Sequence, residues 1–523
     1  MKFLGGLILL VSLSAKARVY NEDFTSLNYK DSSTLIWNFE LGVLHPDLLI
    51  YGYGQTATSQ TTFSVSDGSH GAFEPATYSQ FGTVVGNHIT IDANQFPILK
   101  VTRFHLDSSH TLSSINGPLI IHSLSTVLID GVITCNGNNG GNAAGGVGGA
   151  GGAGRCDGFS GGAGGNSSTS GSDGLPTAGA TTGGGGGLAA SALNGAGGGG
   201  GGSYYNTTIN GDAGFNGPPD NLGGAFGVGS SDHEFTNLNG SAGGGGGSGS
   251  TTEGGSGGGA GGGTVVIHAV SGIVISNGGA ILATGGNGGT TFSNGGGGGG
   301  GGGGNIKIFT PATLDVKVSG LITAAPGTGA PSSSQTAPDG SGGIGGAGRT
   351  WIGVGNLILS GSINSNILYS EGIAGFVSGT VQTATSKSFD TGSKRVTYES
   401  FVADPVSSDI TLQVAGSDDN FASDDSGWIN AAAISGISSK RYMKFRVSLN
   451  NSDSANPTFV NSVTLTYNPG QIDDFAFKSG GCGLVKNTPS NSSHWLMSLL
   501  LLIPLILAWR LRRPKTVRVR VRK

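Results

Sequence analysis

Short apolar runs closed by Gly, Asn, Asp or Ser follow one another through the first part of the chain. They lie at residues 89–91, 98–104, 111–112, 119–122 and 127–133. Runs of this length, rich in Ile, Leu and Val and bounded by turn residues, are typical of short strands. The pattern predicts successive rungs of a right-handed parallel β-helix, with Leu, Ile and Val pointing inward and polar residues outward.

A second pattern repeats at a fixed offset farther along the chain. Residues 279–283 align with 320–324, Val265 aligns with Ile306 at the same offset, and residues 131–135 form an upstream copy. Each copy consists of a few short apolar strands followed by a glycine tract. A unit of this size at a fixed period indicates a stacked, quasi-one-dimensional β-solenoid.

Glycine dominates the connections between these strands. The chain has 523 residues, of which 103 are glycine, and ten glycines run consecutively from Gly295 to Gly304. Such tracts could be flexible loops, or extended polyglycine-II coils that resemble polyproline II and exchange backbone hydrogen bonds side by side. We favour coils because the tracts recur at one place in each repeat. No stacked ladder of Asn residues is discernible across the repeats.

The three cysteines are too few for a disulfide framework. Cys135 and Cys156 could pair and close a loop. Alternatively, Cys135 is unpaired and fills the small inward position that Ala283 and Ala324 hold in the other repeats. We favour the unpaired, buried cysteine.

From about residue 376 glycine becomes rarer and charge rises. The run 441–449 alternates apolar and polar residues, with Met443 and Phe445 on one face, which predicts a β-sandwich with one buried side. This run, with the later run 463–467, resembles the closing strands of galactose-binding-like (discoidin-type) jelly rolls. The resemblance covers residues 376–468 and implies a glycan-binding or spacing domain, with no ligand contacts to transfer.

The sequence therefore predicts an all-β chain: a right-handed parallel β-helix with Gly-rich coil insertions, then a jelly-roll-like β-sandwich and a C-terminal hydrophobic helix. Its start, residues 20–145, resembles the capping and first rungs of Gly-rich bacterial surface proteins. The predicted regions are a signal peptide (1–17), N-terminal cap and lead-in strands (18–97), Gly-rich β-solenoid (98–365), β-sandwich (376–468), linker with a Gly-Cys motif (469–494), transmembrane or sorting helix (495–511) and basic cytoplasmic tail (512–523).

The N-terminus has the three parts of a secretory signal peptide. Lys2 precedes an apolar run over residues 3–13, and Ala15-Lys16-Ala17 forms an A-x-A site, so signal peptidase would cleave after Ala17. The apolar run is too short for a membrane-spanning helix. The sequence thus predicts export.

The C-terminus carries a second targeting signal. Gly480, Gly481 and Cys482 precede a polar spacer, an apolar stretch over residues 495–509 and a basic end at 510–523. This order resembles the Cys-containing sorting signals of the Myxo-CTERM and JDVT-CTERM types, although the single Cys and the long basic extension depart from them. The resemblance implies cleavage near Cys482, its lipidation and attachment to the outer membrane. A plain single-pass anchor with a cytoplasmic basic tail is the alternative.

The charge distribution argues against nucleic acid as a partner. The formal net charge is −4, but eleven of the 27 basic residues lie near the two ends of the chain. The span between Arg18 and Cys482 holds all 31 acidic residues against 16 basic ones, about −15 in total. A body of that sign repels nucleic acid.

Residues that could carry chemistry are sparse. Asp418, Asp419, Asp424 and Asp425 flank one loop and could bind Ca²⁺, although their spacing matches no calcium loop and Asp is common in turns. The Asp-His-Glu run at 232–234 could hold a metal, but adjacent residues in a loop more often solvate its tip. We predict no catalytic residue and no cofactor, since no metal-binding His motif and no nucleophile elbow in a strand-to-helix context occurs.

We therefore expect a non-catalytic, envelope-anchored bacterial surface protein with a structural or adhesive role. Its partners would be the membrane, extracellular glycans or other cell surfaces, and further copies of itself. Two alternatives remain: a polysaccharide-active β-helix enzyme, and a glycan-binding protein that acts through the sandwich. Trp428, beside the acidic loop, is expected in the sandwich core, with a sugar platform as its alternative role.

If the sorting signal operates, protein purified from its native envelope has lost the segment after Cys482 and gained acyl mass. Intact-mass spectrometry measures both changes. The Cys482→Ala variant lacks the thiol that would be acylated and should gain no acyl mass. An unmodified chain that ends at Lys523 would show a plain transmembrane anchor instead.

Overall fold

The computed structural model describes residues 17–470 except 47, 52–59, 64–65, 176–183, 189–198, 203–212, 217–221, 226–240, 242, 251, 292–293, 332–339, 372–373, 377–378 and 453–456. Several predicted features lie outside the described residues: the signal peptide up to residue 16, the run 232–234, the Gly480-Gly481-Cys482 motif and the hydrophobic C-terminal stretch.

The first part of the chain contains a short helix, α1 (Tyr78–Phe81), and fourteen described strands. These are β1 (Arg18–Glu22), β2 (Lys30–Ser33), β3 (Ile36–Asn38), β4 (Val43–His45), β5 (Leu48–Tyr51), β6 (Gln60–Phe63), β7 (Thr83–Val85), β8 (His88–Asp92), β9 (Leu99–Val101), β10 (Phe104–Leu106), β11 (Thr111–Ile115), β12 (Leu119–Ser123), β13 (Val127–Ile129) and β14 (Val132–Thr134).

The remaining strands follow a long glycine-rich insertion. They are β15 (Thr264–Ala269), β16 (Ile273–Ile275), β17 (Ala280–Leu282), β18 (Asn305–Val316), β19 (Leu321–Thr323), β20 (Arg349–Leu359), β21 (Ser362–Asn364), β22 (Asn366–Glu371), β23 (Ala374–Phe376), β24 (Val381–Ser386), β25 (Phe389–Asp390), β26 (Thr397–Asp404), β27 (Ile410–Ser417), β28 (Ile429–Asn430), β29 (Tyr442–Asn450) and β30 (Ser462–Asn468). A 3₁₀ helix spans Ala431–Ile437. The predicted all-β class is confirmed.

Two sheets of mainly parallel strands share one apolar core. In the first, β9, β12, β15, β18, β20 and β22 are neighbours in that order, and β10, β13 and β16 lead to the far half of β18. In the second, the order is β21-β19-β17-β14-β11-β8-β7, with only β7 antiparallel to its neighbour. Val265 lies beside Ile306, and Ala280 lies beside Leu321. The predicted offset of the repeat is therefore the register of neighbouring strands.

Isoleucines stacked along the first sheet hold this register. Ile121, Ile267, Ile308 and Ile352 lie beside one another on successive strands, and each is fully buried. Burying one such side chain stabilises the fold by roughly 1.5–3 kcal/mol. A one-residue slip of any strand would turn its isoleucine to the opposite face, so the apolar pattern fixes which residues meet.

The preference for an unpaired Cys135 is wrong, because Cys135 and Cys156 form a disulfide. Cys135 does occupy the small, buried position that Ala283 and Ala324 hold on the neighbouring passages of the chain. The space beside it is filled by Cys156, which is itself buried in the same core. The bond therefore attaches the start of the long glycine-rich insertion to the strand core.

The C-terminal strands form two antiparallel sheets around a second core. One sheet has the order β1-β30-β26; the other has the order β2-β24-β29-β27-β28, with β25 also beside β29. In β29, Met443, Phe445 and Val447 are buried, and the residues between them are half-buried. The predicted alternation along this strand is confirmed.

Residues of the predicted N-terminal region, 18–97, lie in both cores. Strand β1 pairs with β30 and strand β2 pairs with β24. Phe24 and Trp37 lie in the C-terminal core, with their ring centroids 5.0 Å apart. Phe73 instead lies in the core of the parallel sheets. Arg18, the first residue after the predicted cleavage site, is also the first residue of β1.

The glycine tracts are hydrogen-bonded coils that lie side by side. Successive N–H groups of residues 257–263 donate in turn to three different neighbours, the segments 135–141, 156–162 and 296–302, with N···O distances of 2.7–2.9 Å. Each neighbour is reached again after three residues, which is the period of a polyproline-II-like coil. Where they are described, the tracts are thus the coils that the sequence favours, not solvated loops.

Close approach of the coils requires glycine. A Cβ atom added to Gly257 would overlap the carbonyl oxygen of Ala150, and one added to Gly298 would overlap that of Gly257. Both oxygens belong to backbone that is itself held by further coils, so neither can move aside cheaply. The composition of the tracts therefore follows from their packing.

Gly257→Ala should lower the free energy of unfolding by roughly 1–3 kcal/mol, because the new methyl group overpacks the bundle. Guanidinium-induced unfolding measures the loss. Gly436→Ala is the matched control, since its Cβ would meet only the flexible tip of Ile429 at 3.3 Å. Equal effects of the two substitutions would contradict the packed-coil arrangement.

Candidate functional site: the polar face of the glycine coils

Three glycine coils form one face of the bundle. They comprise residues 136–142, 284–290 and 325–331, and they begin where β14, β17 and β19 end. Because those strands are parallel neighbours, the coils leave the sheet side by side. Gly140 donates its N–H to the carbonyl of Asn287 at 2.8 Å, and Gly288 donates to that of Thr328 at 2.9 Å.

Every third side chain of these coils faces solvent, which is the coil counterpart of an amphipathic pattern. Most of the intervening positions are glycine or alanine, and Asn138 is an exposed exception. The exposed side chains belong to Asn139, Asn142, Asn287, Thr290, Thr328 and Pro331.

Asparagine side chains form a ladder across this face. Each ladder Asn accepts, through Oδ1, the backbone N–H of a residue on the next coil. The bonds run from Thr284 to Asn136 (2.8 Å), from Asn287 to Asn139 (2.8 Å), from Thr290 to Asn142 (2.9 Å) and from Thr328 to Asn287 (2.9 Å).

The ladder completes the hydrogen bonding of the middle coil, residues 284–290. One set of its N–H groups donates to the coil 325–331, and a second set donates to residues 257–260. The third set points outward and is satisfied by the Asn side chains. These bonds are exposed or part-buried, so each contributes about 0.5–1.5 kcal/mol, as an ordinary hydrogen bond does, and no further coil is required.

The ladder also fixes how each carboxamide is oriented. A backbone N–H can bond only to an acceptor, so the Asn oxygen must face the neighbouring coil. The amide nitrogens of Asn139, Asn142 and Asn287 are therefore left on the solvent side. The face thus presents preorganised N–H donors at every third residue of a coil.

These residues line an open groove of about 600 Å³. Its polar lining comes from Asn139, Asn142, Asn287, Thr290 and Thr328. The rest of the lining consists of glycine, Ala330 and Pro331, so none of the lining residues that the structure describes is charged. The arrangement can bind a neutral, hydrogen-bonding ligand.

This ladder was not recognised from the sequence. The spacing of Asn136, Asn139 and Asn142 at every third residue is its signal, and residues 284, 287 and 290 repeat that spacing. The three bonds between these two coils join positions 148 apart, whereas the bond from Thr328 to Asn287 joins positions 41 apart, which is the offset of the repeat. The long insertion between β14 and β15 separates the two coils in sequence, so their common spacing is difficult to recognise.

The carboxylates of the acidic loop form ion pairs and hydrogen bonds with groups of the protein itself. The Lys440 Nζ atom lies 3.1 Å from Asp418 Oδ2 and 2.8 Å from Asp424 Oδ2. Asp419 accepts hydrogen bonds from the hydroxyl groups of Ser417 and Ser423 and from nearby backbone N–H groups. No group of three or more His, Cys, Asp or Glu residues that could hold a metal occurs in the described part of the chain.

The remaining candidates near this loop lie apart from the ion pairs. Asp425 accepts the N–H of Gly427 at 2.9 Å. Trp428 is half-buried and is not a member of the C-terminal core cluster. The guanidinium carbon of Arg446 lies 4.2 Å from the centre of its ring, so a cation covers one of the two faces that a sugar would use.

Comparison with known proteins gives no relative: no family model matches the chain, and no curated protein or solved structure matches it significantly. Among the residues that the structure describes, no helix has the length and apolar character needed to cross a membrane.

The hydrogen bond from Ser423 lowers the pKa of Asp419 below its usual value of 3.8. A lowered carboxyl pKa stabilises the fold above the usual value, and this contribution is lost as the pH falls through the folded value. Asp419→Asn should therefore lower the thermal midpoint at pH 7, and the difference from wild type should shrink below about pH 4.

Asp425→Asn is the matched control for this experiment. Its side chain caps a single N–H group, so we expect only a small effect on the thermal midpoint. A difference between wild type and Asp419→Asn that stays constant from pH 7 to pH 2 would contradict the assigned role of Asp419.

Proposed function

We propose that the protein is a non-catalytic, envelope-anchored surface protein of a bacterium, with a structural or adhesive role. The strands of residues 98–365 would form a right-handed parallel β-helix with the glycine coils as lateral extensions. The sheets that contain β24 to β30 would form a β-sandwich of the jelly-roll type between this body and the anchor.

The observation that carries the proposal is the continuous backbone hydrogen bonding of the glycine bundle. Residues 257–263 bond to three neighbouring coils, and the ladder side chains satisfy the outward N–H groups of residues 284–290. Ordering glycine costs more backbone entropy than ordering any other residue. A chain that orders so many glycines gains a stiff bundle of coils, which suits a coat or contact surface.

Two further observations support export. The disulfide between Cys135 and Cys156 belongs to the class of bond that persists in oxidising compartments outside the cytoplasm. Strand β1 begins at Arg18, directly after the predicted signal peptidase site. A chain cleaved there would keep every residue that pairs with β30.

Surface location can be tested by labelling intact cells of the native host with a membrane-impermeant amine reagent. Exposed lysines such as Lys387 and Lys394 should be labelled before lysis, because the body would lie outside the outer membrane. A cytoplasmic protein of the same cells is the control and should be labelled only after lysis. Labelling of this chain only after lysis would overturn the proposed location.

A further inference from the structure

We infer that the groove across the three coils 136–142, 284–290 and 325–331 binds an extended chain of neutral sugars. The inference rests on the proposed function, since it gives the adhesive role a ligand class and a site. It places recognition on the glycine coils and not on the C-terminal sheets.

The first argument is the chemistry of the lining. The Oδ1 atoms of Asn139, Asn142 and Asn287 are engaged by backbone N–H groups, so their amide nitrogens remain to donate outward. Thr328 adds a hydroxyl group at the groove. Sugar hydroxyl groups accept such hydrogen bonds and can donate in return, whereas a purely apolar ligand would leave the donors unsatisfied.

The second argument is charge. None of the described groove residues is charged, so a sulfated or uronate polymer would find no cation among them to pair with. The net charge of the body, about −15 between Arg18 and Cys482, would repel such a polymer at longer range. A neutral polysaccharide meets neither obstacle.

The third argument is periodicity and rigidity. Asn139 and Asn142 lie three residues apart on one polyproline-II-like coil and are therefore about 9 Å apart, a span comparable with two residues of an extended sugar chain. The Asn side chains are already held by their backbone bonds, so binding would cost little of their rotamer entropy. A regular, preorganised row of donors suits a polymer better than a small molecule.

The test is affinity electrophoresis of the full-length protein in gels that contain a neutral β-glucan, a neutral mannan or polygalacturonate. Retardation by a neutral polymer and not by polygalacturonate is the expected result. No retardation by either neutral polymer, or retardation by polygalacturonate alone, would overturn the inference. A freezing point lowered below the melting point, without polymer binding, would assign the face to ice and would overturn it as well.

The double variant Asn139→Asp/Asn142→Asp isolates the outward donors. Aspartate keeps the acceptor that caps the neighbouring coil, but it replaces each outward amide with a carboxylate oxygen. Binding should weaken roughly tenfold or more while the thermal midpoint stays close to that of wild type. Asn139→Ala, which removes the cap as well, should lower the thermal midpoint.

Asn166→Asp is the matched control. Asn166 makes the same kind of bond, accepting the N–H of Gly148 at 2.8 Å, on a coil pair outside the groove. Equal loss of binding in this control would show a general charge effect and overturn the assignment. If the double variant fails to fold, Thr328→Lys serves instead, because it fills the groove without removing a ladder acceptor. Unchanged binding in that folded variant would also overturn the inference.

The polymer-binding experiment and the labelling of intact cells test different statements, so either can fail without the other. Binding is measured with purified protein, so its loss in the groove variants does not depend on where the chain resides. A protein that is labelled on intact cells but binds no neutral polymer would retain the structural role and lose this site. A protein that binds the polymer but is labelled only after lysis would retain the site and lose the proposed location.

Discussion

The backbone hydrogen bond between neighbouring glycine coils is the interaction on which the rest of the structure depends. In residues 257–263 three consecutive N–H groups point to three neighbours, so a coil in the bundle is held from three directions. A helix or a strand satisfies its donors along itself or within one sheet. A glycine coil cannot satisfy its own N–H groups. The bundle therefore forms only when several tracts that are distant in sequence come together.

The parallel strands bring the glycine tracts together. Strands β14, β17 and β19 end beside one another, so the coils that follow them start in register without any recognition of their own. The disulfide between Cys135 and Cys156 attaches the long insertion next to the end of β14. Loop closure entropy rises only slowly with loop length. A long insertion is therefore compatible with the stack once both of its ends are fixed.

The parts that could be predicted from sequence are those with a local period. The fixed offset of the repeat placed Val265 beside Ile306, and the alternation around Phe445 gave the buried face of β29. What the sequence did not reveal depends on distant partners. Strand β1 pairs with β30, and the side-chain bond between Thr464 and Asn21 on these strands joins positions 443 apart.

The groove residues were missed for a related reason. Their three-residue spacing is written in the sequence, but glycine-rich segments match many periods, and the partner coil lies 148 positions away. For Cys135 the position in the repeat was predicted correctly, but its bonding state was not. Its alignment with Ala283 and Ala324 was recognised, yet a small buried position fits a free thiol and a disulfide equally well. Only the position of Cys156 in the same core decides between them.

The Asn ladder explains how the bundle can end. An outer layer of bare glycine coils would present rows of unpaired N–H groups, and, like an open sheet edge, it would invite another chain to add to it. Asn136, Asn139 and Asn142 occupy those donors from within the chain. The same geometry forces their amide nitrogens outward. A side chain that satisfies the outermost backbone donors of the bundle thereby also presents its amide to solvent, and the requirement for a stable edge alone is enough to place polar donors on the protein's exterior.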